Sequence, residues 1–268
     1  MSVRSAAAAG RFYPGSASEI RVELDRYFSN AAAEPDAARA RAVMLPHAGW
    51  VFCGDIIAET LARTRIPKTI IIIGPKHTPY GPSWSVSNDS AWSLPTGEIP
   101  VATDSVQFLN RCNERIKLDR DAHRFEHGCE VLLPFLQRLR ADIQIVPIAI
   151  GTASYDECLE LGSNLRQLLD EADEAPLMVI SSDMNHFATD AENRRRDHLA
   201  LQQLQNGDAK GLYEVCQENE ISICGVYPAS AVMSAISSSW IEVTRYETSA
   251  RINGDKNNVV GYAGALFC

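Results

Sequence analysis

Four short runs of the chain are almost entirely apolar and rich in β-branched or aliphatic residues. They cover residues 41–45, 69–73, 143–150 and 177–181. A strand with one face in water alternates between apolar and polar residues, whereas a strand covered on both faces does not. The four runs therefore predict buried strands.

The segments between these runs carry apolar residues at helical spacing. We predict helices at residues 56–64, 105–116, 130–139 and 155–169. Strands that alternate with helices are typical of a largely parallel α/β sheet. The segment SWSVSNDSAWSLPTGEIPVA departs from this alternation, and its Pro-Thr-Gly centre predicts a hairpin at one edge of the sheet.

The C-terminal part of the chain predicts three more helices and two late strands. The helices cover residues 197–204, 209–218 and 229–237, and the strands lie in WIEVTRYETSA and NNVVGYAGALF. No linker, repeat or low-complexity tract divides the chain. We therefore predict one α/β domain over residues 1–268, with a central, mostly parallel sheet flanked by helices.

Composition narrows the classes of protein. The chain has 268 residues, of which 46% are hydrophobic, so it can bury a sizeable core. Its apolar runs are far shorter than the roughly 20 residues that a membrane-spanning helix needs. The formal charge of −9 provides no basic surface for phosphate backbones. We expect no membrane segment and no nucleic-acid partner.

The N-terminus and the cysteines bear on location. The apolar part of MSVRSAAAAGRFYPG is too short and too weakly hydrophobic for a secretory signal. Seven cysteines form an odd set without close CxxC pairs, which is typical of reduced thiols rather than of a disulfide framework. We therefore expect a cytoplasmic protein without a structural zinc ribbon.

Three of the six histidines closely follow predicted strands. His47 stands in PHAGW and His77 in GPKH, whereas SSDMNH contains both Asp183 and His186. Loops at the carboxyl ends of parallel strands meet at one edge of a sheet, where α/β proteins bind ligands. One such histidine is most often a hydrogen-bonded turn residue, but three at equivalent positions favour a shared site. Since imidazole is the commonest metal ligand, we predict a metal site there.

The segment HRFEHGCE contains a second pair of histidines. On one continuous helix His123 and His127 would share a face, as in H-E-x-x-H zinc sites. Gly128 interrupts such a helix and the glutamate is misplaced, so a second metal site is disfavoured. We predict instead that Glu126 and His127 line a substrate pocket and that His123 lies at the surface.

The segment ISICGVYPAS places Cys224 just before Pro228, a residue that suits the first turn of a helix. Its spacing alone favours a buried, inert thiol over a reactive one. A Walker loop, a G-x-S-x-G elbow and a G-x-G-x-x-G turn are all missing from the sequence. We therefore expect no nucleotide cofactor.

Six motifs occur in a set order between Ala9 and Ser230. They are AGRFYPGS, PHAGWVFCG, GPKHTPYG, EHGCEVLLPFL, SSDMNHF and ICGVYPAS, and GYAGALF stands at the C-terminal end. This ordered set resembles the Memo family, whose bacterial and archaeal members are called AmmeMemoRadiSam system protein B. The resemblance covers nearly the whole chain. It implies a fold similar to that of class III extradiol dioxygenases, the non-haem iron enzymes that cleave catechol rings.

The resemblance also implies roles for individual residues. His47, His77 and Cys224 would be the metal ligands, so the resemblance reverses the interpretation of the cysteine from spacing. Asp183 and His186 would line the same pocket, and His186 matches the acid/base histidine of the dioxygenases. The family's genomic neighbours suggest a pathway shared with a radical SAM protein and an AMMECR-type protein.

Two departures limit what the resemblance implies. The dioxygenases complete their iron site with a carboxylate, whereas this chain, like the Memo family, offers Cys224. A thiolate ligand favours copper(I), zinc or iron over metal ions that are bound by oxygen ligands alone. Lys76 replaces the small polar residue that usually precedes the second histidine of the Memo pattern. Its ammonium can point to solvent, attract an anionic substrate or raise the cost of binding a cation.

These expectations together describe a metal-dependent oxidoreductase that acts on a small molecule. One ion, Fe(II) or copper with zinc as the alternative, would leave positions for a substrate and dioxygen. His186 would move protons, and Asp183 would orient His186 or a bound water unless it caps the following turn. Two other classes stay open: a metal-binding or adaptor protein without turnover, and a zinc-dependent hydrolase.

Overall fold

The computed structural model describes residues 2–31, 40–236, 238 and 240–268. The strands of these residues are β1 (Val3–Ser5), β2 (Ala42–Leu45), β3 (Thr69–Pro75), β4 (Trp84–Ser87), β5 (Ala91–Leu94), β6 (Gly97–Pro100), β7 (Lys117–Asp119), β8 (Gln144–Ile150), β9 (Leu177–Ser181), β10 (His186–Ala188), β11 (Ile241–Thr248) and β12 (Val259–Phe267). The α-helices are α1 (Ala17–Asn30), α2 (Trp50–Ala62), α3 (Thr103–Cys112), α4 (Asp121–Arg124), α5 (Leu133–Leu139), α6 (Tyr155–Asp170), α7 (Asp190–Gln205), α8 (Ala209–Glu218), α9 (Val226–Ala235) and α10 (Ala250–Asn253).

Four strands at the centre of the larger sheet are parallel. The sheet follows the order β10-β12-β2-β9-β3-β8-β4-β7, and β11 also pairs with β12. Within it β2, β9, β3 and β8 are parallel neighbours, and Ile71 of β3 lies opposite Met178 of β9 and Val146 of β8. Every residue of β2 and β9 is buried, which is why these runs carry no polar face. The predicted α/β sheet is confirmed, and its parallel part is this centre.

The outer strands make the sheet mixed. β12 pairs antiparallel with β2, β10 and β11, and β4 pairs antiparallel with β8. The two predicted late strands are thus present as β11 and β12. The predicted hairpin divides between two sheets: β4 joins the larger one, whereas β5 and β6 form a hairpin that pairs with β1 in a three-stranded sheet.

Helices flank the sheet. α2 packs on β2, β11 and β12, and α9 packs on β3, β9 and α6. At the start of α6 the Ser154 hydroxyl accepts from the Glu157 N–H, and the Glu157 carboxylate accepts from the Ser154 N–H. The predicted end of α9 at residue 237 lies outside the described residues. No helix of the described part of the chain is long and apolar enough to cross a bilayer.

Several helix boundaries differ from the prediction: α3 ends at Cys112 rather than at residue 116, α7 begins at Asp190 rather than at residue 197, and α9 begins at Val226 rather than at residue 229. α2 begins at Trp50 rather than at residue 56, because the Trp50 side chain is already buried in the core. The predicted helix at residues 130–139 is divided into a 3-10 turn, Glu130–Leu132, and α5. Pro134 lies in the first turn of α5, where its missing N–H leaves no hydrogen bond unmade.

Candidate metal centre

Three loops at the carboxyl ends of neighbouring strands converge on one site. β9 lies between β2 and β3 in the sheet. His47 stands two residues after β2, His77 two residues after β3, and Asp183 two residues after β9. The parallel pairing of these strands brings the three loops to the same edge, as the sequence predicts.

The side chains of His47, His77 and Cys224 form a group of potential metal ligands. Each offers one ligand atom, and these atoms lie within 4.8 Å of one another. The ring centroids of His47 and His77 are 5.1 Å apart, and the Cys224 Sγ lies 3.3 Å from His47 Nε2. Cys224 comes from the loop before α9 rather than from a strand end, so only the resemblance, and not the strand pattern, pointed to it.

The hydrogen bonds of His47 set its tautomer. Nδ1 lies 2.7 Å from the Ser181 Oγ, and the Ser181 hydroxyl itself donates to the Gly128 carbonyl. The hydroxyl must therefore accept from the imidazole, which places the proton on Nδ1 and the lone pair on Nε2, toward Cys224. Burial, reinforced by the neighbouring His77, lowers the pKa of His47 to about 3. At neutral pH this ring is uncharged, as a metal ligand must be.

Glu126 sets the tautomer of His77 in the same way. Its carboxylate accepts from His77 Nδ1 at 2.8 Å, from the His77 backbone N–H at 2.6 Å and from the Gly128 N–H at 3.0 Å. Burial alone would raise the pKa of Glu126, but the hydrogen bonds and charge of His77 outweigh it and lower the pKa to about 2. Glu126 is thus a buried carboxylate that orients a histidine, an arrangement common behind metal ligands.

Cys224 lies against the backbone of Asp183. The Asp183 N–H donates to the Cys224 Sγ at 3.1 Å. Burial, with the nearby carboxylate of Asp183, raises the pKa of the Cys224 thiol. The next residue, Gly225, packs so tightly on Ser182 that an added Cβ would lie 2.4 Å from the Ser182 Cβ. A side chain at position 225 would clash with Ser182, so glycine is required there. The close approach brings the Cys224 sulfur to the strand-end loops.

Asp183 links two loops of the site. Its Oδ1 accepts from the His47 backbone N–H at 2.7 Å, and burial raises its pKa. The carboxylate therefore fixes the position of the His47 loop relative to β9. The orientation of His186 or of a bound water by Asp183 stays a prediction.

His186 begins β10 and lies outside the ligand group. Its Nδ1 is 2.8 Å from the Ser222 carbonyl oxygen, and its backbone N–H donates to the Ser222 Oγ at 2.9 Å. Because a carbonyl only accepts, Nδ1 carries the proton and Nε2 has the lone pair. His186 belongs to neither group of ligand atoms found among the described residues. This placement is compatible with the expected acid/base role.

His127 and Lys76 occupy different environments. The His127 ring stacks on Phe12 and on His77, with centroid distances of 4.3 and 4.7 Å. Together with His77 and Glu126 it forms a second group of possible ligands. Burial and the two neighbouring histidines of the centre lower the pKa of His127 to about 4. The Lys76 ammonium donates to the Thr78 carbonyl at 2.6 Å, within its own loop.

The prediction that His123 lies at the surface is wrong. Its side chain is fully buried, with Nε2 3.1 Å from the Ser85 Oγ and the ring edge-on to Trp92. α4 ends at Arg124, so His123 and His127 do not share a helix face. The disfavoured zinc pair is accordingly not assembled. The polarity of HRFEHGCE suggested an exposed segment, whereas its His123, Glu126 and Glu130 side chains are buried.

Comparison with known proteins identifies the family of the chain. A family model described as "Memo-like protein" matches residues 4–266. The chain belongs to the Memo family. A MEMO1 family protein of Methanosarcina mazei is 32% identical over 271 residues, which cover 99% of both chains. A MEMO1 family protein of Aquifex aeolicus is 32% identical over 274 residues, which cover 100% of both.

A solved structure has a related fold. An uncharacterized protein from Escherichia coli K12 matches with a TM-score of 0.54 and 16% identity, over 85% of this chain and 99% of that one. This match supports the fold of the Memo-family chain and no activity. The expected Memo membership is confirmed by the family model and by the relatives.

Sequence reasoning about this Memo-family protein missed the residues that orient its histidines. Ser181 holds His47, and Ser222 holds His186. The sequence does carry a signal for Ser181, because this serine is the last residue of an otherwise apolar strand, LMVIS. No comparable signal marks Ser222, which reaches His186 from 36 residues further along the chain.

Proposed function

We propose that this Memo-family protein binds one metal ion through His47, His77 and Cys224 and acts as a metal-dependent oxidoreductase on a small molecule. The observation that carries the proposal is the convergence of these three side chains, whose ligand atoms lie within 4.8 Å of one another. Both imidazoles are held through Nδ1 by a partner on the side away from the group. This leaves Nε2 of each ring as the atom that can bind a cation, and in His47 that atom lies 3.3 Å from the Cys224 Sγ.

The donor set fits a borderline or soft metal ion. Two imidazoles and one thiolate favour iron(II), copper or zinc over magnesium or calcium, which prefer oxygen. Because its pKa is raised by burial, the Cys224 thiol keeps its proton until a cation replaces it. The Asp183 N–H that points at the sulfur would then stabilise the thiolate. We propose Fe(II) or copper as the working ion, with zinc as the alternative.

The protein's own groups would handle protons and substrate orientation. When bound, the ion would supply redox chemistry and a position for the substrate. His186 would accept or donate a proton through Nε2, since its Nδ1 is committed to the Ser222 carbonyl. His127, uncharged at neutral pH and stacked between Phe12 and His77, would contact the substrate without repelling the cation.

The test begins with metal content after purification without oxygen. Each of the variants His47→Ala, His77→Ala and Cys224→Ala should lose stoichiometric metal binding and keep its fold, because the two remaining donors hold a cation poorly. His198→Ala and Cys112→Ala are matched controls, since both side chains are exposed. The proposal fails if all three site variants still bind one ion per chain with unchanged affinity.

The second step separates catalysis from binding. His186→Ala should retain the metal and lose dioxygen uptake together with one limb of the pH profile, because a proton-transfer group contributes about 10² to 10⁴ in rate. Loss of the metal in His186→Ala would make this residue a ligand instead. Tight metal binding without uptake in the wild-type protein would support the binding-protein alternative. Zinc as the bound ion, together with hydrolytic activity in the absence of oxygen, would support the zinc-dependent hydrolase.

A further inference from the structure

A buried amide connects the His186 loop to the loop that carries Cys224. The Asn185 Oδ1 accepts from the Ser222 backbone N–H at 3.0 Å and from the Ser222 hydroxyl at 3.2 Å. Ser222 in turn receives the His186 backbone N–H on its Oγ and the His186 Nδ1–H on its carbonyl. Asn185 thus determines where Ser222 lies, and Ser222 determines where the His186 ring lies.

A buried carboxylate holds this amide in place. Asp197 of α7 accepts from the Asn185 backbone N–H at 2.8 Å, from Asn193 Nδ2 at 2.9 Å and from the Tyr246 hydroxyl at 2.7 Å. The Asn185 Nδ2 donates to the Asn193 Oδ1 at 2.8 Å, which closes the network. With Asp197 as a carboxylate, each of these groups has a partner of the correct polarity.

The network is closed to solvent and tightly packed. Asn185, Asn193 and Asp197 are all 0% exposed. A Cβ added to Gly261 of β12 would lie 2.0 Å from the Asp197 Oδ2, so the strand approaches the carboxylate as closely as glycine permits. None of these residues belongs to the ligand groups of the metal centre. Burying three polar side chains is costly unless each is hydrogen-bonded, and these three bond to one another.

We propose that Asn185 and Asp197 are positioning residues that hold His186 as the tautomer with its proton on Nδ1 and its lone pair on Nε2. The inference rests on the proposed function of His186 in proton transfer. The opposite tautomer would set a bare Nδ1 against the Ser222 carbonyl, two acceptors without a hydrogen. If Asn185 no longer held Ser222, the carbonyl could turn away and the ring would lose this preference.

The tautomer of His186 can be measured directly by nitrogen NMR. The sample is metal-free protein with labelled histidines. The His186 signals are assigned by their loss in His186→Gln. Wild-type protein should show a protonated Nδ1 and an unprotonated Nε2 at His186. Asn185→Ala should show both tautomers in exchange, while the signals of His47 and His77 keep their wild-type pattern.

A matched control separates positioning from general loss of stability. Asn164→Ala removes another buried amide, which pairs with Asn113 at 2.9 Å rather than with a member of this network. It should lower the melting temperature to a similar extent and leave the His186 tautomer unchanged. If Asn185→Ala does not fold, Asp197→Asn is measured, since its new amide meets three donors and disturbs the same network. A single wild-type tautomer in the folded variant overturns the inference.

The two proposals fail in different measurements. The tautomer is read on metal-free protein, so it neither requires nor reports metal binding. If the wild-type protein binds no metal, the proposed function is wrong, but the result on the His186 tautomer is unaffected. Conversely, an unchanged tautomer in Asn185→Ala would remove the positioning role and leave the metal centre intact.

Discussion

Glu126 and Glu130 lie four residues apart before α5, and both carboxylates are buried, at 1% and 0% exposure. Glu130 faces Arg4, whose Nη1 lies 2.7 Å away, whereas Glu126 faces His77. Glu130 also accepts from the backbone N–H groups of Ala7 and Ala8 and from the Tyr13 hydroxyl. Glu130 therefore joins the N-terminal segment to the core through a permanent cation and backbone donors.

Glu126 has a different kind of partner. Arginine stays charged at all accessible pH values, but the imidazole of His77 can be neutral and still donate through Nδ1. The His77 side chain is 32% exposed, so the Glu126 pair opens onto the candidate metal centre, whereas the Glu130 pair is closed to solvent. A buried carboxylate paired with a permanent cation holds the chain together, whereas one paired with a histidine orients a potential ligand.

The largest effect is expected from breaking the sealed pair. Arg4→Met leaves Glu130 as a buried charge without its cation, which should lower the free energy of unfolding by about 3–5 kcal/mol. Urea unfolding measures this change. Arg26→Met is the control, because its pair with Glu23 is exposed and should contribute less than about 1 kcal/mol. Equal losses in the two variants would mean that the buried pair has no special role.

Breaking the open pair should affect the metal more than the fold. Glu126→Gln replaces one acceptor oxygen by an NH₂ group, which must face either the His77 Nδ1–H together with the Gly128 N–H, or the His77 backbone N–H. Zinc affinity, measured by competition with a chelator, should fall by about 10- to 100-fold, as for other outer partners of metal ligands. Unchanged affinity would show that His77 needs no partner on its far side.

A buried histidine beside Arg4 should make stability depend on pH. Burial, with the charge of Arg4 as the second cause, lowers the pKa of His123 from 6.5 to about 3. The unfolded chain therefore binds a proton at His123 that the folded protein does not bind. The free energy of unfolding falls as the pH drops from about 6.5 toward 3, by up to about 1.4 kcal/mol per pH unit. In denaturant unfolding, the free energy of unfolding of the wild type should fall more steeply with decreasing pH than that of His123→Phe. Parallel curves would contradict the prediction.

The smallest effect is expected at Lys76, beside the open pair. Lys76→Met removes an ammonium that donates to the Thr78 carbonyl of its own loop, so stability should change by less than about 0.5 kcal/mol. Zinc affinity should stay within about twofold, because the ammonium bonds to the Thr78 carbonyl and is screened by solvent. A clear rise in affinity would show that Lys76 opposes the bound cation.

Much of the centre of the fold was predictable from local pattern. The runs at residues 69–73 and 177–181 became the buried strands β3 and β9, because only residues covered on both faces are apolar without alternation. The edges were less predictable. β12 pairs antiparallel with β2, and no local pattern distinguishes a strand that enters a sheet in either direction.

Local pattern was enough to place two histidines at strand ends, and the ordered motifs were enough to indicate the family. The folded structure brings Cys224 within 3.3 Å of His47, although 177 residues separate them. It also decided the tautomers, because the partners of His47 and His186 come from distant segments. Hydrophobic pattern is a property of neighbours in sequence, whereas the position of a proton on an imidazole depends on the atoms that folding brings within hydrogen-bonding distance.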